Sequence, residues 1–272
     1  MKDKWLAESE LVLKAVSAGA KMLTQQKIEG LSVRSKGNPR DLVTELDVYI
    51  ENQIKTMLGP SGYKILGEES VKEKDAADMG NEPVWLIDPI DGTTNFVSSI
   101  PYHSVSVGLA VDSRFPVGAV AIPPLKELFF TMGEAGSYMN GKTLKAHHAK
   151  LENSLVVASF SGSSADKRSR SKEYEFFGNL NDISRGCLRL GSASVNICYA
   201  AAGRFNAAYG ISNKIWDVAG ALAVACLAGC RVYTERKSGS FMINYVAGAE
   251  GAADELAEML RKNGLAKLVR IN

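Results

Sequence analysis

Apolar residues recur at helical spacing close to the N-terminus. Trp5, Leu6, Val12, Ala15, Val16, Ala20 and Leu23 predict a helix over residues 4–28, ended by Gly30. Residues 31–40 are strand-like, with a turn at Gly37-Asn38-Pro39. The stripe Leu42, Leu46, Ile50, Ile54 and Leu58 predicts a second helix over 42–58, stopped by Gly59-Pro60. A brief strand, Lys64-Ile65-Leu66, leads into Gly67-Glu68-Glu69-Ser70, and the polar stretch 71–82 reads as an exposed loop. The apolar run 84–87 then delivers Asp88 and Asp91 to its end, where Gly92-Thr93-Thr94 reads as a turn entering a helix. Alternation over 104–111, 117–122 and 127–132 predicts strands with turn residues between them.

Past residue 150 the character changes. Strands at 155–160, 187–190, 205–208, 231–234 and 241–246 are interleaved with helices near 165–178, 192–202, 216–229 and 250–263. Such interleaving favours an α/β second half. The expected division is an N-terminal α+β half over 1–148 and a C-terminal α/β half over 149–272.

Composition narrows the function classes. A chain of 272 residues, 46% hydrophobic and 23% charged, is ordinary globular material. Its net charge of +2 speaks against a dedicated nucleic-acid binder. The longest apolar run, Val218 to Cys230, is too short for a membrane span and contains Gly220 and Gly229, so it reads as a buried core helix. No signal-peptide apolar region follows Met1. Cys187, Cys198, Cys226 and Cys230 sit among apolar neighbours rather than at paired framework spacings, which predicts reduced, buried thiols and a cytoplasmic location.

Candidate chemistry lies in four short acidic segments: Asp41 to Asp47, Gly67 to Glu69, Asp88 to Thr93, and Trp216-Asp217. Should Glu68, Asp88, Asp91 and Asp217 converge, their mutual repulsion would be tolerable only around cations. An all-oxygen donor set suits Mg²⁺, Mn²⁺ or Ca²⁺ rather than zinc. His103, His147 and His148 provide no zinc ligand set and read as surface or packing histidines. A phosphomonoester would suit such a site. Two ions about 3.5–4 Å apart can bind both the attacking water and the leaving oxygen. The Gly92 and Thr93 N–H groups would hold phosphate oxygens, and Thr93 with Asp47 would accept a proton from water. Two plainer readings compete: Asp-Pro and Asp-Gly as turn dipeptides, and Glu45, Asp47 and Glu51 as one solvated helix face.

Taken together the segments resemble the inositol monophosphatase family, part of the lithium-sensitive, Mg²⁺-dependent phosphatases. The matching pieces are Asp41-Leu42-Val43-Thr44 with Asp47, Gly67-Glu68-Glu69-Ser70, Asp88-Pro89-Ile90-Asp91-Gly92-Thr93-Thr94-Asn95-Phe96, Arg189-Leu190-Gly191-Ser192-Ala193, and Trp216-Asp217-Val218-Ala219-Gly220. The resemblance implies a five-layer α/β/α/β/α sandwich and a Mg²⁺-dependent phosphomonoesterase acting on a small phosphorylated polyol or sugar. It implies two or three Mg²⁺ ions, with Mn²⁺ as a substitute, held by Glu68, Asp88, the Ile90 carbonyl, Asp91 and Asp217. Asp47 and Thr93 would orient water, and Gly92 and Thr93 would hold the phosphate. Ser163, Gly191, Ser192, Ala193, Gly210 and Lys214 would line the substrate pocket, with Lys36 on a loop completing the metal site. Homodimers are common in the family.

One position departs from it. Inositol-specific members carry a glutamate seven residues before the last metal aspartate, where this chain has Gly210. The lost carboxylate and the nearby Lys214 open a second reading, a fructose-1,6-bisphosphatase or a 3′(2′),5′-bisphosphate nucleotidase. A non-catalytic binding protein that kept the fold is the reading from outside enzymology.

Overall fold

The computed structural model describes residues 4–25, 33–35, 42–72, 75, 82–160, 167–236 and 239–272. The first part of the chain forms α1 (Leu6–Gln25), β1 (Val33–Ser35), β2 (Leu42–Thr44), α2 (Glu45–Leu58), β3 (Lys64–Gly67), β4 (Val84–Asp91), α3 (Thr93–Val97), β5 (Ser104–Val111), β6 (Arg114–Ile122), β7 (Glu127–Thr131), β8 (Ser137–Met139) and β9 (Lys142–Thr143). The rest forms β10 (His148–Ala149), β11 (Leu155–Ser159), α4 (Lys167–Ile183), β12 (Gly186–Leu188), α5 (Ala193–Ala201), β13 (Ala207–Lys214), α6 (Ile215–Leu227), β14 (Arg231–Arg236), β15 (Met242–Gly248), β16 (Glu250–Gly251), α7 (Ala252–Lys262) and β17 (Val269–Arg270).

Strands β3 to β9 make one sheet in chain order, parallel between β3 and β4 and antiparallel elsewhere. The second sheet runs β12-β11-β13-β15-β14-β17, parallel in its first three strands. Three apolar cores hold these layers together. Val12 of α1 and Ile50 and Ile54 of α2 pack on Trp85, Val105 and Val107. Between the sheets, α5 and α6 meet Leu86, Val120 and Phe129 on one side and Val157, Ala208 and Ala247 on the other. On the far face, Phe176 of α4 and Leu256 and Leu260 of α7 cover Tyr209 and Val246. The order is α/β/α/β/α, the five-layer sandwich that the family resemblance implies. From Val218 onward helix α6 is apolar all round because both its sides are buried. Among the described residues no helix is long and apolar enough to cross a membrane.

Local differences from the sequence reading have identifiable causes. Leu42–Thr44 is strand β2, paired with β1, and the helix begins only at Glu45. Thr44 stops the strand by capping α2: its hydroxyl accepts the Leu46 N–H (3.2 Å), while Asp47 Oδ2 accepts the Thr44 N–H (2.7 Å). The strand expected at 84–87 continues to Asp91, and that expected at 205–208 continues to Lys214. Both contain a register shift, and irregular strands of this kind do not keep a clean period of two. Gly30, Lys36, the 37–39 turn and most of the 71–82 loop lie outside the described residues.

Candidate metal centre

The bulge in β4 creates the corner of the site. Asp88 pairs with Ser106 and Asp91 with Ser104, so Pro89 and Ile90 together face a single partner position. Pro89 gives up no ladder donor at that irregular point. Asp88 Oδ1 accepts the Ile90 N–H (3.1 Å), and the Ile90 carbonyl accepts the Thr93 hydroxyl (2.9 Å). Gly92 follows at φ +88°, where an added Cβ would lie 3.1 Å from the Tyr102 carbonyl and 3.2 Å from that of Gly191. Backbone conformation and lack of space both require glycine there. Asn95, one turn into α3, donates to the Tyr102 and Leu190 carbonyls (2.7 and 2.8 Å) and so ties the corner to the second half of the chain.

Glu68 enters from the end of β3, which lies parallel to β4. Asp217 enters from the first turn of α6, where Oδ2 accepts the Lys214 N–H (3.2 Å). One oxygen each from Glu68, Asp88 and Asp217 lie within 4.8 Å of one another. Oxygens bound about 2.1 Å from one octahedral cation stand about 3 to 4.2 Å apart, so this spacing fits a shared ion. Electrostatics agree. Burial pushes the Asp88 carboxyl well above the usual carboxylate range, and Glu68, Asp91, Asp217 and Asp47 push it further. Asp217 is raised by burial, then by Glu68 and Asp91, against the opposing Lys214 N–H. Two buried carboxyls that resist ionisation, Asp88 and Asp217, are stabilised by a nearby cation. The donors are all oxygen, which fits Mg²⁺ or Mn²⁺.

Asp91 lies beside this trio, and its carboxylate faces the start of α5. It accepts the Ser192 hydroxyl (2.6 Å), the Ala193 N–H (3.3 Å), the Ser194 N–H (2.7 Å) and the Ser194 hydroxyl. Burial raises its pKa while these donors lower it. Ser194 in turn bonds Ser104 of β5 (2.6 Å), so a buried set of hydroxyls around one carboxylate links the first sheet to α5. Ser192 and Ala193, read from the sequence as pocket-lining, thus direct donors to Asp91, and Gly191 packs against Asn95. Asp47 is buried at the N-terminus of α2, where Thr44 donates both its N–H and its hydroxyl to Oδ2. Gly210 lies inside β13; a Cβ there would fall 2.1 Å from Asn213 Oδ1 and 2.3 Å from the Tyr245 ring. Lys214 is exposed, with its ammonium 5.6 Å from the Trp216 ring centroid. Ser163 and Lys36 lie outside the described residues. Sequence reasoning gave Asn95, Ser104 and Ser194 no role. Only Asn95 carried a signal, its place within the Asp88 segment.

Layer order and acidic trio together define a layered α/β protein with a candidate cation site where β3 and β4 of the first sheet meet α6. The model of the inositol monophosphatase family matches residues 6–266. Inositol-1-monophosphatase SuhB of Mycobacterium tuberculosis is 34% identical over 247 residues, 86% of this chain and 83% of its own. Inositol monophosphatase 1 of Bos taurus is 28% identical over 239 residues, 84% of each chain. Among solved structures, an IMPase of Thermotoga maritima superposes with a TM-score of 0.78 at 25% identity, covering 95% of this chain and 98% of its own. The chain belongs to the inositol monophosphatase family.

Proposed function

We propose that the chain is a Mg²⁺-dependent phosphomonoesterase that hydrolyses a small phosphorylated polyol or sugar by in-line attack of water. Family membership makes it a phosphoric monoester hydrolase. The observation that carries the metal dependence is the meeting of Glu68, Asp88 and Asp217 within 4.8 Å. In this reading Glu68, Asp88, Asp91, Asp217 and the Ile90 carbonyl hold two or three Mg²⁺ ions, and Mn²⁺ can replace them. The bound ions supply Lewis-acid charge to the phosphoryl group and the attacking water.

The chain's own groups do the rest. Gly92 and Thr93, at the N-terminus of α3, present backbone N–H groups to the phosphate oxygens. The Thr93 hydroxyl points its hydrogen at the Ile90 carbonyl, so its oxygen serves as acceptor for a proton of the water, with Asp47 as the companion carboxylate. Asp91 adds negative charge beside the trio while keeping α5 in place. In this reading Gly191, Ser192, Ala193, Gly210 and Lys214 border the leaving group. The 1–148 half brings Glu68, Asp88 and Asp91, and the 149–272 half brings Asp217. Homodimerisation and a cytoplasmic location complete the reading; four free thiols support the latter.

A bisphosphate or nucleotide substrate is the second reading. Tyr245 and Asn213 take up the space beside Gly210, so that wall of the pocket carries no carboxylate, and Lys214 is exposed nearby. A phosphate-release assay over inositol 1-phosphate, fructose 1,6-bisphosphate and phosphoadenosine phosphate separates the two. EDTA should abolish release and added Mg²⁺ restore it. Turnover indifferent to EDTA would remove the metal mechanism, and no turnover on any phosphomonoester would leave a binding protein.

A further inference from the structure

We propose that Glu51 is a positioning residue for the cation site, acting through the turn that carries Glu68. Glu51 sits on the inner face of α2 and is 1% exposed. A carboxylate so deeply buried must be held by partners. Its Oε2 accepts the Glu69 N–H (2.7 Å), and its Oε1 pairs with Lys55 Nζ (2.7 Å), one helical turn away. The same ammonium donates to the Ser70 hydroxyl. Gly67 explains itself in this setting. A Cβ there would lie 2.2 Å from the Glu51 carboxyl carbon and 2.4–2.5 Å from its oxygens. Glycine is present because the carboxylate rests on its α-carbon.

The turn is therefore gripped at three of its four residues: Gly67 by contact, Glu69 by a hydrogen bond and Ser70 through Lys55. Glu68 stands between them, its own N–H on the Ile87 carbonyl of the neighbouring strand (3.1 Å). Its side chain leaves a backbone that cannot turn, and so reaches Asp88 and Asp217 in a fixed direction. Partners that orient a metal ligand are worth about 10–100-fold in metal affinity. Glu51 touches neither ion nor substrate, so its removal should weaken cation binding while sparing the chemical step.

The inference rests on the proposed role of Glu68 as a ligand, and the test separates the two. Mg²⁺ binding to the full chain is measured by titration calorimetry, with folding checked by thermal melting. Glu68→Gln should weaken binding. Glu51→Ala should raise the Mg²⁺ dissociation constant about tenfold or more, with kcat at saturating Mg²⁺ within about threefold of the parent. Glu51→Gln keeps an acceptor for the Glu69 N–H and should recover most of the affinity. Gly67→Ala guards against misfolding of the Glu51→Ala chain: it keeps the charge, pushes the carboxylate off the turn, and should weaken binding likewise. Parental affinity in a folded Glu51→Ala or Gly67→Ala chain, with Glu68→Gln impaired, overturns the positioning role alone. Parental affinity in Glu68→Gln as well overturns the metal assignment beneath it.

Discussion

Asp88→Asn is expected to lower kcat/KM about a thousandfold, close to 4 kcal/mol of lost transition-state stabilisation. Asp88 is the most enclosed member of the trio, 2% exposed, and no neighbouring carboxylate can move into its place because the β4 bulge fixes it. The same substitution should make the metal-free protein more stable. Asp88 has a folded-state pKa raised well above 3.8. The folded chain therefore binds this proton more tightly than the unfolded chain does. Its contribution to stability is full below the unfolded value near pH 4 and is lost as pH rises through the folded value. Metal-free parent should thus lose stability with rising pH, and Mg²⁺ should restore it by mass action. In the Asp88→Asn protein both the decline and the Mg²⁺-induced rise in Tm should shrink. Thermal melts across pH with and without Mg²⁺, beside steady-state rates, check both halves. A near-normal rate would show that Asp88 does not hold the ion.

Gly118→Val is expected to destroy the fold. Gly118 of β6 pairs with Gly108 of β5, and both lie under the α6 backbone at Ala219-Gly220. A Cβ on Gly118 would fall 2.3 Å from the Gly220 carbonyl oxygen, and one on Gly108 2.5 Å from the Gly220 nitrogen. The obstacle is backbone on both sides, so no rotamer change relieves it. Moving α6 away would open the core between the sheets and withdraw Asp217, one turn earlier on the helix. Overpacking of this kind exceeds the usual 1–3 kcal/mol and should pass about 5 kcal/mol, comparable to the whole stability of a domain. Gly178→Ala, in α4 with open space around it, is the matched control and should gain about 0.5–1 kcal/mol. Soluble yield and circular-dichroism melts distinguish the two. A Gly118→Val protein that folds and binds Mg²⁺ would refute the close-approach argument.

Single elements were legible because burial and periodicity coincide in them, whereas the five-layer order came only from the family resemblance. Val12, Ala15, Val16 and Leu23 mark one buried face of α1, and the unbroken apolar run of α6 reflects burial on both sides. The acidic corner was legible only in company: alone, Asp88-Pro89 and Asp91-Gly92 read equally as turn dipeptides, and the separate Gly67-Glu68-Glu69 and Trp216-Asp217 segments turn the reading toward a shared site. Legibility failed where polar residues are inside. Glu51 looks like a solvated partner of Asp47 one turn away, yet it is buried against Gly67. Ser104 and Ser194 are ordinary serines until folding brings β5 and α5 together around Asp91. Leu42 fits the α2 stripe by position, but the Thr44 cap ends the helix before reaching it. Nothing in the local pattern of Gly108, Gly118 and Gly220 announces that three distant glycines form one seam.

A crystal of the protein soaked in Mn²⁺ and recorded at an anomalous wavelength tests the cation site most directly. The expected result is an anomalous peak with oxygens of Glu68, Asp88 and Asp217 each within about 2.3 Å of it. A map with no peak at that corner, or with Glu68 and Asp217 turned away from Asp88 in the presence of the ion, would contradict it.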